Sequence, residues 1–263
     1  MTARLPGRAR LLAHQVRYDQ KTFRRDPAAV FFTLALPLMS LVIFVSLFGN
    51  LTTRVDGRSV RSSTYQVPGI LVFAVVSATT ANLAVTLTAA RERGTLKRIR
   101  AMPLPGAVFL AARVVTAVLV TLLAVLITVG LGWAAYGIDV PGRTLPGLLA
   151  SLVVGAATFC CLGFALSTAI PSENAAPAIA SAVVMPLYFV SAVLIPESQT
   201  PSALLRIADV FPVRHFFQAL FTAFDPGTHG PGLALDHLAV VVAWGVAALL
   251  VSLARFRWTP HAG

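Results

Sequence analysis

The densest set of functional side chains in the chain is the segment 91–105, RERGTLKRIRAMPLP. Five of its residues are basic: Arg91, Arg93, Lys97, Arg98 and Arg100. Leu96, Ile99 and Met102 recur at i, i+3 and i+6, so a short helix here aligns them as one apolar ridge amid charge. Pro103 and Pro105 end such a helix. A charged helix with a greasy ridge is suited to docking into the groove of another protein. The same residues also serve, more plainly, as a positively charged stop between two apolar runs. Neither role is catalysis.

Other chemistries lack their parts. A GxxxxGK[ST] phosphate loop needs lysine after glycine, and the two lysines, Lys21 and Lys97, follow Gln20 and Leu96. No HExxH or CxxC motif occurs, and no credible nucleophile, histidine and acid set stands out. Cys160 and Cys161 are adjacent, which disfavours a mutual disulfide, and they read as small apolar packing residues. The expectation is a chain that is not an enzyme and holds no cofactor or metal of its own.

The elements that position these residues follow from where charge is missing. Asp, Glu, Lys and Arg make up 12% of the 263 residues, against about 25% in ordinary soluble domains. Uncharged runs cover 27–53, 62–90, 114–138, 144–172, 174–196 and 237–254. A bilayer core needs roughly 20 mainly apolar residues per helix, so the expected fold is all-α and polytopic, with six transmembrane helices. None of these runs contains a carboxylate, which disfavours an ion-coupled carrier with an intramembrane relay. The net charge of +11 is not gathered on a solvated recognition module, so nucleic acid is not expected as a partner. Seven basic residues precede the first run and five fall in Arg91–Arg100, placing both termini in the cytoplasm. Arg113, early in the third run, is close enough to that end to snorkel.

Ahead of the first run, Leu5, Leu12, Val16 and Phe23 share a narrow helical face, while Arg10, Arg17, Lys21, Arg24 and Arg25 project roughly opposite. This predicts an amphipathic helix in the membrane interface, touching lipid with one face, although Arg8 and Asp19 fall near the apolar stripe. The alternative is a solvated basic tail that fixes topology. The organisation is therefore 1–27 as a cytoplasmic amphipathic helix, 28–256 as a six-span membrane domain and 257–263 as a cytoplasmic tail. Pro37 and Pro186 are expected to kink the first and fifth spans. Between the fifth and sixth runs, FPVRHFFQALFTAF places Phe217, Phe221 and Phe224 at helical spacing. The ten uncharged residues 215–224 are too few to cross, so a short re-entrant or interfacial helix pair is expected in this external connection, with His215 hydrogen-bonded.

The stretch RERGTLKRIRAMPLP, through Glu92, Gly94, Thr95, Leu96 and its closing prolines, resembles the signature that follows the second span in type-two permeases of ATP-binding-cassette (ABC) transporters. These include daunorubicin-resistance-like and NodJ-like drug and polysaccharide exporters. The resemblance extends to the basic N-terminal helix, the six runs and the long connection before the last. It implies the membrane subunit of an exporter in a bacterial inner membrane, paired with a separate ATPase that holds ATP and magnesium, as two permeases and two ATPases. It also implies that residues 91–102 form a coupling helix contacting that ATPase, and that Glu173 in the PSENAAP loop is a second contact, helix capping being the alternative for Glu173. Arg93 and Lys97 stand where acidic residues are frequent in the family, which leads to the expectation of an acidic groove on the partner. The apolar runs suit a drug-like or other amphiphilic cargo. A non-transporting membrane scaffold that recruits a cytosolic protein, and thirdly a secondary carrier, are the competing readings.

Overall fold

With no water in hydrocarbon to satisfy backbone groups, an apolar run is driven to bond within itself as a helix. In the computed structural model, which describes residues 7–49, 51–55, 58–94, 106–138, 141–191 and 200–255, all six uncharged runs carry helices. The chain begins with α1 (Arg8–Arg24), followed by α2 (Pro27–Val30), a π-helical turn (Phe31–Ala35) and α3 (Leu36–Phe48). A two-stranded antiparallel hairpin of β1 (Thr52–Val55) and β2 (Arg58–Arg61) comes next. Then come α4 (Ser62–Val76), a second π-helical turn (Ser77–Ala81), α5 (Asn82–Glu92), α6 (Gly106–Tyr136), α7 (Leu145–Ala169) and α8 (Ala176–Val190). The last elements are α9 (Ser202–Ala208), α10 (Pro212–Phe224) and α11 (Leu235–Arg255).

Four of these helices are long and apolar enough to cross a membrane: Ser62–Glu92, Ala111–Tyr136, Leu145–Ala169 and Leu235–Arg255. The first and fifth runs form the shorter apolar helices Thr33–Phe48 and Ala176–Phe189. The first run is interrupted by its π turn, where the amide of Leu36 reaches back to Phe31 just before Pro37, which has no N–H to give. Pro186 lies inside α8 as expected, and Pro68, which the run pattern did not single out, lies inside α4. The fold class is all-α as expected, the four-residue strands of the hairpin being a small addition between the first two runs.

Helix α7 is the hub, packed against α5, α6, α10 and α11. Its small residues let neighbours approach: a Cβ at Gly155 would overlap the Phe216 ring of α10, and one at Gly163 would press on Leu83 and the Thr80 backbone. Hydroxyls bridge the same seams, Thr80 donating to the Phe159 carbonyl at 2.8 Å and Thr158 to that of Val241 at 3.1 Å. The expected helix pair before the last span exists as α9 and α10, but α10 is part of the core. Phe216, Phe217 and Leu220 are buried, with Phe217 4.8 Å from the Tyr65 ring and Phe216 5.3 Å from Phe159. His215 is hydrogen-bonded, its Nε2 donating to the Asp209 carbonyl at 2.8 Å and its Nδ1 lying 2.9 Å from Nδ1 of His237.

Gly155→Ala is therefore expected to drive a methyl group into the Phe216 ring and destabilise the bundle by about 1–3 kcal/mol, the usual penalty of overpacking. Thermal unfolding in detergent checks this against Gly130→Ala, whose site is open and whose midpoint should not move.

Candidate functional site

The end of the bundle formed by the C-termini of α5 and α7 carries the residues of the 91–105 segment that the structure describes. Helix α5 stops after Glu92, and Gly94 turns the chain away with φ of +67°, a left-handed conformation that suits glycine. Arg91 does not face outward. It is 4% exposed, and its guanidinium donates from Nη1 to the Ser167 carbonyl at 3.0 Å and from Nη2 to the Ile170 carbonyl at 2.5 Å. Those carbonyls belong to the last turn and end of α7, where the helix leaves acceptors unsatisfied and concentrates negative potential. The expectation that Arg91 reaches a partner is thus corrected: it is committed to joining two helices of its own chain.

Glu92 and Arg93 are exposed and do reach across. Arg93 grips the Glu173 carboxylate through two bonds, Nε to Oε2 at 3.1 Å and Nη2 to Oε1, while Oε2 of Glu92 accepts the Glu173 backbone N–H at 2.5 Å. The 91–94 end and the 170–176 loop, singled out separately in the sequence, are one surface. Glu173 does not cap α8 with its side chain; Ser172 accepts the Ala175 amide at 3.3 Å instead. An exposed ion pair of this kind contributes little stability, so its effect is to fix the shape of this face. Thr95, Leu96, Lys97, Arg98, Ile99 and Met102, which carry the ridge, lie outside the described residues.

Helix α1 is present and two-faced: Leu12, Val16 and Phe23 are half-buried, and Arg17, Lys21 and Arg24 are exposed. It packs on α6 rather than standing clear of the bundle. Its buried residue is Asp19, the residue that spoiled the apolar stripe, and Oδ2 of Asp19 lies 3.6 Å from Nε of Arg113 on α6. Arg113 also sits over the Phe109 ring, 5.3 Å from its centroid. In place of the expected snorkelling, Arg113 is held by an acid from another helix, a pairing that only the third dimension supplies. Burial pushes the Asp19 carboxyl above its ordinary 3.8, against the downward pull of Arg113 and of the Gln15 amide.

Two cavities adjoin these elements. One, of about 80 Å³, lies between α1, α5 and α6 and is lined by Asp19, Asn82, Thr86, Arg113 and Thr116 among others. The second, of about 410 Å³, is a groove between the first π turn and α3, the α4–α5 helix and α8. Its wall is mostly apolar, with Asp26, Thr33, Ser77, Asn82, Thr86, Ser181 and Tyr188 as polar points, Asp26 being the charged one. Tyr188 braces the second π turn, its hydroxyl 3.1 Å from Ser77 Oγ and donating to the Phe73 carbonyl at 3.1 Å.

Replacing Arg91 with Met removes both bonds to the end of α7 and leaves buried carbonyls bare, an expected loss of about 1.5–3 kcal/mol. A lower unfolding midpoint for Arg91→Met, with none for Arg93→Ala, checks the division between a structural and a surface arginine.

No curated protein sequence matches the chain. The profile of one family, described as ABC-2 type transporter, matches residues 12–224, a stretch running from α1 through the Glu92–Arg93–Glu173 surface to the end of α10. The chain belongs to the ABC-2 type transporter family: it is a multi-pass membrane permease component of an ABC-type transporter, a class that pairs with an ABC ATPase.

Proposed function

We propose that the chain is the permease subunit of an exporter, six-spanning with both termini cytoplasmic, which moves an amphiphilic or hydrophobic cargo out of the cell when a separate ATPase closes on ATP. Two copies, or this chain and a second permease, would pair with two ATPases. The observation that carries this reading is the clasp of Glu92, Arg93 and Glu173, which makes a single face from the two loops that the family resemblance points to as ATPase contacts. Through Arg91 that face is tied to α7, and through α5 it is continuous with the second π turn and the groove. A push on the clasp thus has a stiff route into the bundle, because helices and packed cores move as units.

The groove supports the cargo class. A mostly apolar wall with scattered hydroxyl and amide groups matches a ligand that is largely apolar and fixed by a few hydrogen bonds. The described part of this wall presents no lysine or arginine and carries the Asp26 carboxylate, so a strongly anionic cargo would meet like charge and no counter-charge there. Export, rather than uptake, follows the drug and polysaccharide exporters that the 91–105 segment resembles.

Purification from native membranes should recover an ABC ATPase with this chain, and proteoliposomes holding both should move a fluorescent amphiphile only with ATP and magnesium. Transport driven by an ion gradient without ATP would overturn the reading, and a tight complex that moves no cargo in a broad screen would point to a scaffold. Within the complex, Glu173→Lys opposes Arg93 with like charge and should lower ATPase recovery roughly fivefold at unchanged permease abundance, the effect of about 1 kcal/mol. Gly94→Glu and Leu96→Glu should act in the same direction, and full retention of association and transport in these variants would remove the docking assignment.

A further inference from the structure

Asp19 and Arg113 form a contact that neither the clasp nor the groove requires, yet it lies between α1 and the groove wall. Asp19 is 3% exposed. Its Oδ1 accepts from Nε2 of Gln15 at 3.1 Å, whereas its Oδ2 and the Nε of Arg113, 3.6 Å apart, have no hydrogen bond, and neither has Thr116 Oγ1 on the next turn of α6. Three unsatisfied polar atoms therefore border the 80 Å³ chamber. Asn82 and Thr86 of α5 also line it, and these two residues, with Asp26 just beyond the end of α1, line the 410 Å³ groove as well. Asn82 is the first residue after the second π turn, a place where helix geometry is already off its regular track.

The pair is poorly explained as a source of stability. Its carboxyl is harder to ionise in the folded chain than in water because burial outweighs the attraction of Arg113. A buried ion pair with that balance fixes geometry and gives no net stabilising return. Its geometry joins one helix with a basic outer face to the side of the groove.

We propose that Asp19 and Arg113 are positioning residues: their ion pair anchors α1 to α6 and thereby sets the position of the Asn82–Thr86 wall, so that displacement of α1 is passed to the groove. The role of the groove as a cargo path rests on the exporter reading above; the mechanical link between α1 and the groove does not.

The link is read by a thiol in the groove of the full chain in lipid nanodiscs, without ATPase or cargo. Cys160 and Cys161 are first replaced with Ala, and Ser181→Cys, exposed and on the groove wall, becomes the site for a charged, water-soluble maleimide. Asp19→Asn and, separately, Arg113→Gln are expected to shift the labelling rate roughly fivefold, the population change that about 1 kcal/mol produces. The double exchange Asp19→Arg with Arg113→Asp should return it to within about twofold of the parent, as coupled sites in a double-mutant cycle do. Asp19→Asn leaves the largely buried Arg113 charge without its counter-ion, so it should lower the melting temperature, and the double exchange should recover it. Equal labelling in parent and Asp19→Asn overturns the proposal. So does a lower melting temperature with no rescue by the exchange, which would give the pair a merely structural role. An ATP-independent chain would defeat the exporter reading and leave these outcomes intact.

Discussion

The distance at which helices can approach α7 governs this bundle. Within lipid, two apolar helices gain little by hiding from their surroundings, which are as apolar as they are, so association rests on van der Waals contact and on hydrogen bonds between helices. Both need backbones brought close. Gly155 and Gly163 on α7, with Gly245 of α11 opposite Thr158, remove the side chains that would hold the helices apart. The Thr80 and Thr158 hydroxyls can then reach carbonyls of another helix. The Phe216 ring fills the space over Gly155 and brings α10 into the core, so a segment too short to span is fixed by the same contact that organises the spans.

Charge is arranged around that framework by depth. At one end of α7 the Arg91 guanidinium satisfies carbonyls that the helix cannot satisfy itself, and the exposed pair of Arg93 and Glu173 lies just beyond it. The first is buried and structural, the second solvated and positional, although they are two residues apart on one strand of sequence. The difference follows from helical geometry, since successive side chains point about 100° apart and only one of them can face α7. A family-level reading of the 91–102 stretch as a docking element treats these neighbours alike; their surroundings separate them.

Much of the architecture was legible because the bilayer constraint writes itself along the chain. Each uncharged run carries a helix, the phenylalanines spaced through 217–224 fall on one helix, and the basic N-terminal segment is the amphipathic helix its period suggests. Features that depend on two distant segments were not legible. Asp19 looked like a blemish in an apolar stripe and Arg113 like an isolated charge, since nothing local links residue 19 to residue 113. Likewise nothing local links Arg93 to Glu173, which the fold brings together across 80 residues of sequence. The hairpin has one local signal, the Asp56-Gly57 dipeptide between the residues of β1 and β2, and its short flanking segments lack the longer alternation of apolar and polar residues that marks a strand. The π turns have no sequence signature beyond the proline that follows the first.

The His215–His237 contact carries a consequence of its own. A carbonyl can only accept, so Nε2 of His215 must hold a hydrogen toward Asp209, and in a neutral ring Nδ1 is then bare. The hydrogen between the two Nδ1 atoms therefore belongs to His237, which fixes the tautomers of both rings. The two rings thus form a directed chain, from His237 through His215 to the Asp209 carbonyl, that ties the final helix to α10 and to the end of α9 in one arrangement of donors and acceptors.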